Sequence, residues 1–114
     1  MTHDDYARSL YASAPACQPM QWSAVLFFYA ALHGASHVVF RGTNAPKIDH
    51  VGMAQEMSRD KTLRTFEVKY RRLRTASEDV RYRPWVPARS EADMKNLRAT
   101  CREILTACGI AVDA

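Results

Sequence analysis

Two histidines spaced four residues apart, His33 and His37, are the first candidates for chemistry in this chain of 114 residues. On a helix such a pair projects from one face, where two imidazoles can bind a metal ion or move a proton. A metal site would need a third ligand, which His50 or Asp49 could supply from another element. No glutamate stands beside the pair as in a metalloprotease helix. We therefore expect His33 to be a hydrogen-bonded histidine inside the fold, and no metal to be bound.

Cations and aromatic rings are concentrated elsewhere, in residues 59–83 and just beyond. This segment holds nine basic and four acidic side chains, a net charge of +5 in a chain whose net charge is +4. Arginines bind phosphates and aromatic rings stack on unpaired bases, so the pattern favours single-stranded RNA over a duplex groove. A solvated helix face rich in arginine explains the charge equally well. We expect RNA contacts from Arg71, Arg72, Arg74, Tyr82 and Arg83.

A cationic cleft beside a buried histidine would also suit a metal-independent ribonuclease. In such an enzyme His33 would transfer a proton and Arg81 would stabilise the charge of the phosphorane. Arg81 lies on the flank of an apolar stripe, where a cleft could hold it. Trp85, which follows Pro84, either stacks on an unpaired base or packs into the core.

Other kinds of catalytic site have no candidate in this sequence. The four glycines stand singly, so there is no Rossmann or P-loop motif and we expect no cofactor. No serine has a glycine-flanked elbow and no pair of acids faces inward. Cys101 and Cys108 lie two helical turns apart on an apolar stripe, and with three cysteines in the chain at least one has no disulfide partner within it. This pattern predicts buried thiols in a reducing compartment. The first basic residue is Arg8, after two acids, unlike a signal peptide, so we predict a cytoplasmic protein.

The elements that must position these residues are all helices, in one domain spanning residues 1–114. Tyr6, Leu10 and Ala14 follow helical spacing and predict a short first helix, within residues 1–17, that ends at Pro15. Residues 21–40 are apolar over most of a helical circumference, which predicts a central helix buried on several sides. A membrane span is the competing interpretation, and the polar residues in its second half oppose it.

The second half of the chain predicts three more helices. A loop over residues 41–46 precedes a short helix capped by Asp49 and ending near Ser58. Thr62 is the predicted cap of a fourth helix, which ends before Pro84. A capping box at residues 90 and 93 opens the last helix, Gly109 ends it, and residues 110–114 form a tail. The fourth helix carries the clearest apolar stripe, made of Leu63, Phe66, Tyr70, Leu73, Ser77 and Val80.

Three sequence features together resemble the HEPN superfamily, in a branch of small prokaryotic proteins. They are WSAVLFFYAALH at residues 22–33, His50 at the start of a helix, and SEDVRY at residues 77–82. The resemblance covers just over half of the chain. It implies an all-α, antiparallel bundle of about five helices, usually a homodimer. It also implies an association with RNA cleavage, toxin-antitoxin pairs or phage defence.

Active members of that superfamily carry an arginine followed, four to six positions later, by a histidine on a late helix. Arg81 is the best match to the arginine, but residues 81–88 contain no histidine. One interpretation is an endoribonuclease in which His33 or His50 replaces the missing group. We favour a second, a binding or assembly module for RNA or for a cognate protein partner. A third is a structural homodimer that binds no nucleic acid.

Overall fold

The computed structural model describes residues 2–40, 50–83 and 85–112, without the side chains of His50 and Val51. Within these ranges the chain is all-α and has no strand, as predicted. The predicted loop at residues 41–46 and the Asp49 cap lie outside the described residues. The five helices are α1 (His3–Ser13), α2 (Ser23–Val39), α3 (His50–Arg59), α4 (Glu67–Tyr82) and α5 (Glu91–Ala107), and short 3-10 turns cover Ala14–Ala16, Met20–Trp22 and Arg64–Phe66.

Helix α2 is the central element, as its dense apolar pattern predicts. It contacts each of the other four helices, and its small residues let them approach closely. The stretch Met20–Val39 has a mean hydropathy of 1.2, so that by length and composition alone it could cross a membrane. Half of that stretch is buried inside the bundle, as in the core helix of a soluble protein.

Gly34 marks the closest approach between α2 and the end of α5. A methyl group at this position would lie 2.6 Å from Leu105 Cδ2, far inside van der Waals contact.

The predicted tail is wrong at its first residue, because Ile110 is only 1% exposed and packs in the same core. Gly109, with a φ of 77°, turns the chain back, and the Ile110 amide donates to the Leu105 carbonyl at 2.9 Å.

The beginning of α4 also differs from the prediction. Thr62 is not its cap. The Asp60 carboxylate accepts from the backbone N–H groups of Thr62 at 2.8 Å and Leu63 at 3.0 Å. A carboxylate just before the turn satisfies these donors, and a 3-10 turn over Arg64–Phe66 then leads into the helix.

Two other predicted boundaries can be compared directly with the structure. The capping box of α5 is present, because the Ser90 hydroxyl accepts from the Asp93 amide at 3.1 Å and the Ser90 amide donates to the Asp93 carboxylate at 3.2 Å. In α1 the buried residues are Ala7 and Tyr11 rather than Tyr6, which is 44% exposed, whereas the predicted Ala14 is buried in the 3-10 turn that follows. The inward face is therefore one residue away from the predicted one.

Two tyrosines of α4 provide a matched test of this core. Tyr70 is fully buried against Phe28, whereas Tyr82 is 64% exposed. We expect Tyr70→Ala to lower the free energy of unfolding by about 3–5 kcal/mol, because it leaves a cavity. Tyr82→Ala on the same helix should change it by less than about 0.5 kcal/mol. Urea denaturation followed by circular dichroism measures both, and similar losses in the two variants would contradict this placement of α4.

Candidate nucleic-acid interface

Most cations of the basic segment are neutralised by acids nearby. Arg71 pairs with Glu67 one turn earlier, and Arg74 pairs with Glu78 one turn later. Arg83 lies 3.0 Å from the Asp79 carboxylate and 3.6 Å from that of Glu78. Of the five residues predicted to contact RNA, three arginines are thus in ion pairs, while Arg72 and Tyr82 are exposed. The Arg71 side chain is 59% exposed, so its pair with Glu67 is weak and a phosphate can displace this carboxylate at modest cost, whereas the other two arginines are in half-buried pairs.

Arg81 differs from these arginines because, in the described part of the chain, it has no carboxylate partner. Its Nη1 donates to Tyr29 Oη at 2.9 Å and lies 3.3 Å from Tyr82 Oη. The guanidinium carbon is 5.4 Å from the centre of the Tyr29 ring and 4.8 Å from that of Tyr82. Among the described residues, this half-buried cation is therefore held by two neutral aromatic side chains and by no acid.

Two polar atoms on this face of α4 are buried without a hydrogen bond to any described residue. They are Arg81 Nε and the hydroxyl oxygen of Ser77, one turn earlier. Ser77 is fully buried. Folded proteins rarely leave buried polar atoms unsatisfied, and such groups tend to cluster where a protein binds or reacts. The Arg81 guanidinium, held against Tyr29 one turn after the buried Ser77 hydroxyl, is thus the best candidate site for an anion.

Exposed aromatic side chains surround the end of α4. Trp85 is 75% exposed, Tyr82 is 64% exposed, and Trp22, at the start of α2, is 43% exposed. The alternative that Trp85 packs into the core is therefore wrong. Large apolar side chains left in water near cations are typical of an interaction surface, and flat rings suit unpaired bases.

His33 lies one turn after Tyr29 on α2, and its contacts are with α1. Its Nδ1 is 2.9 Å from His3 Nδ1, so one nitrogen donates to the other, and its ring stacks on Tyr6 at 5.0 Å. No hydrogen bond, ion pair or ring contact joins His33 to Arg81. The structure thus places the two predicted catalytic residues in different contacts.

The remaining histidines do not complete a metal site within the described residues. His37 Nδ1 lies 3.9 Å from the Asp4 carboxylate. His50 opens α3, and its side chain is outside the description. Among the side chains that the structure describes, no three His, Cys, Asp or Glu groups are arranged to hold a metal ion.

Cys101 and Cys108 are buried, as predicted, and offer no nucleophile. The Cys101 thiol donates to the Phe27 carbonyl, and burial raises its pKa. Burial also raises the pKa of the Cys108 thiol to about 12, so both thiols stay protonated near neutral pH.

The sequence did not reveal two contacts of this region, that of Tyr29 with Arg81 and that of Arg89 with Asp79. Tyr29 is 52 residues from Arg81 along the chain, so no local spacing connects them. Arg89, whose Nη2 lies 3.0 Å from the Asp79 carboxylate, stands in an irregular connection without periodicity. The sequence does place Tyr29 seven residues after Trp22, which predicts that the two rings lie on the same face of α2. It does not predict that Tyr29 contacts Arg81.

Comparison of the chain with protein-family models, curated proteins and solved structures finds no match. What the site can do therefore rests on its own contacts, charges and burial.

Protonation of His33 should weaken the contact between α1 and α2. Burial, together with the charge of His3, lowers the pKa of His33 below its ordinary value of 6.5. The folded state then binds fewer protons than the unfolded state, so stability is complete above about pH 6.5 and is lost as the pH falls below it. We expect the free energy of unfolding to decrease between about pH 7 and pH 5, and His33→Gln to remove part of that decrease.

The matched control for this measurement is His37→Gln, which removes an imidazole close to Asp4 from the same helix. It should leave the decrease in place. Equal pH dependence in the wild type and in His33→Gln would contradict the role given to His33.

Proposed function

We propose that this chain is an RNA-binding module on a HEPN-like antiparallel helical bundle, in which Arg81 anchors one backbone phosphate. The observation that carries the proposal is the half-buried guanidinium without a carboxylate partner in the described residues. A phosphate would supply the missing negative charge and could accept from guanidinium N–H groups that the tyrosine hydroxyls do not engage. Two tyrosines hold the guanidinium in place, so little side-chain entropy is lost on binding.

The surroundings of Arg81 supply the other contacts that single-stranded RNA needs. Arg72 is exposed and has no ion pair among the described residues, so it is available to a second phosphate. Arg71, Arg74 and Arg83 can exchange their carboxylates for phosphates as counterions are released. The exposed rings of Tyr82 and Trp85 would stack on unpaired bases.

The biological setting is proposed from the HEPN resemblance. A homodimer in the prokaryotic cytoplasm, within a toxin-antitoxin or phage-defence system and with a cognate protein partner, fits a small basic bundle of this kind. Catalysis is not needed for that role.

Ribonuclease activity is a second proposal, and the same uncompensated Arg81 favours it. A guanidinium that lacks an anion in the ground state could stabilise a phosphorane. A histidine would still have to reach the same phosphate, and His33 would have to leave His3 and Tyr6 to do so. The binding module is therefore the better supported function.

Binding of a fluorescent single-stranded RNA, measured by anisotropy over a range of salt concentrations, tests the anchor. Arg81→Gln should weaken binding about tenfold or more and lower the salt slope by about one, because one phosphate contact is lost. Arg71→Gln is the matched control, since Arg71 is exposed and already paired with Glu67. Its loss should be clearly smaller.

Three results of this experiment would each change the conclusion. Equal losses in Arg81→Gln and Arg71→Gln would contradict the anchor. Absence of salt-sensitive binding at low ionic strength would favour the purely structural homodimer. Cleavage of the RNA that disappears in both Arg81→Gln and His33→Ala would favour the ribonuclease.

A further inference from the structure

A cavity of about 230 Å³ lies beside the last turn of α4, between the start of α2 and the connection to α5. Its walls include the apolar side chains of Trp22, Val80, Val86 and Met94. This volume is below the range of about 300–1,000 Å³ that is typical of pockets for drug-sized ligands. The cavity therefore suits a single flat ring system rather than a whole nucleotide.

This cavity holds one carboxylate and two guanidinium groups, a net charge of +1, whereas Arg81 has no carboxylate partner among the described residues. Arg83 and Arg89 line it, and each donates to one oxygen of Asp79 at 3.0 Å. Burial opposes the ionised form of Asp79, but the hydrogen bonds and charges of Arg83 and Arg89 outweigh it and hold its pKa below the ordinary value. Asp79 therefore stays charged near neutral pH, and both guanidinium groups have a carboxylate partner.

The apolar walls and the ionised Asp79 favour an uncharged ligand with a polar edge. A phosphate would meet the ionised Asp79 in the cavity, whereas at Arg81 it would meet no carboxylate of the described residues. The two guanidinium groups keep further N–H donors, and the amide of Gln21, also in the wall, can both donate and accept. Trp22 offers a broad apolar face for stacking.

We infer that this cavity binds one unpaired nucleobase of the RNA whose phosphate Arg81 anchors. The inference rests on the proposed function. It assigns separate tasks to the two sides of the last turn of α4. The phosphate lies at the uncompensated Arg81, and the base lies between Trp22 and the ion pairs that Asp79 forms with Arg83 and Arg89.

Two RNA probes of the same length and charge test the base site on the full chain. One is a single-stranded oligonucleotide, and the other is its abasic counterpart, which keeps the sugar-phosphate backbone. We expect the abasic probe to bind about tenfold more weakly, because stacking on the indole is lost. Trp22→Ala should reduce the affinity for the base-bearing probe and leave that for the abasic probe unchanged.

Two further variants separate the base site from a general loss of structure. Trp22→Phe keeps an aromatic face and should retain most of the difference between the probes. Val68→Ala, at an exposed apolar side chain of α4 that does not line the cavity, should retain all of it. Circular dichroism checks that each variant is folded.

The failures of the two proposals are distinguishable. Equal binding of the two probes, or an equal effect of Trp22→Ala on both, overturns the base site and leaves RNA binding through Arg81 standing. No binding of either probe by the wild type overturns the base site together with the proposed function.

Discussion

The half-buried charge of Arg81 is the interaction on which this account of the molecule depends. Taking a guanidinium partly out of water costs free energy, and elsewhere on α4 that cost is offset by carboxylates such as Glu67, Glu78 and Asp79. At Arg81 two tyrosines replace the carboxylate, and both Nε and the neighbouring Ser77 hydroxyl stay unsatisfied by the described residues. A bundle that carries such an unfavourable arrangement is well prepared to bind an anion.

The fold provides this arrangement through the packing of α2. Its alanines and Gly34 bring α4 and α5 close enough to bury Tyr70 and Leu105, and this close contact leaves Tyr29 at the edge of the core. From there its hydroxyl accepts from Arg81 while its ring packs against Phe28. The positions of the site residues therefore depend on the same small side chains that make α2 apolar along most of its length.

Local patterns predicted much of the fold. Helical spacing located all five helices, and the residues at positions 90 and 93 correctly predicted the start of α5. Errors arose where two local signals competed, as when the Asp60 carboxylate satisfied the amides expected to be capped by Thr62, and where Gly109 turned Ile110 into the core. The site was less predictable, since the contact between Tyr29 and Arg81 depends on how α2 crosses α4. The ion pairs four residues apart on α4, by contrast, follow from helical spacing.

The most direct test of the central claim is the nuclear magnetic resonance signal of the Arg81 Nε–Hε group during titration with single-stranded RNA. Because Nε has no hydrogen-bond partner among the described residues, a bound phosphate should shift this signal and slow its exchange with water. We expect the Arg81 signal to change more than those of the ion-paired Arg71 and Arg74. An unchanged Arg81 signal, in a titration that shifts other arginines, would contradict this expectation.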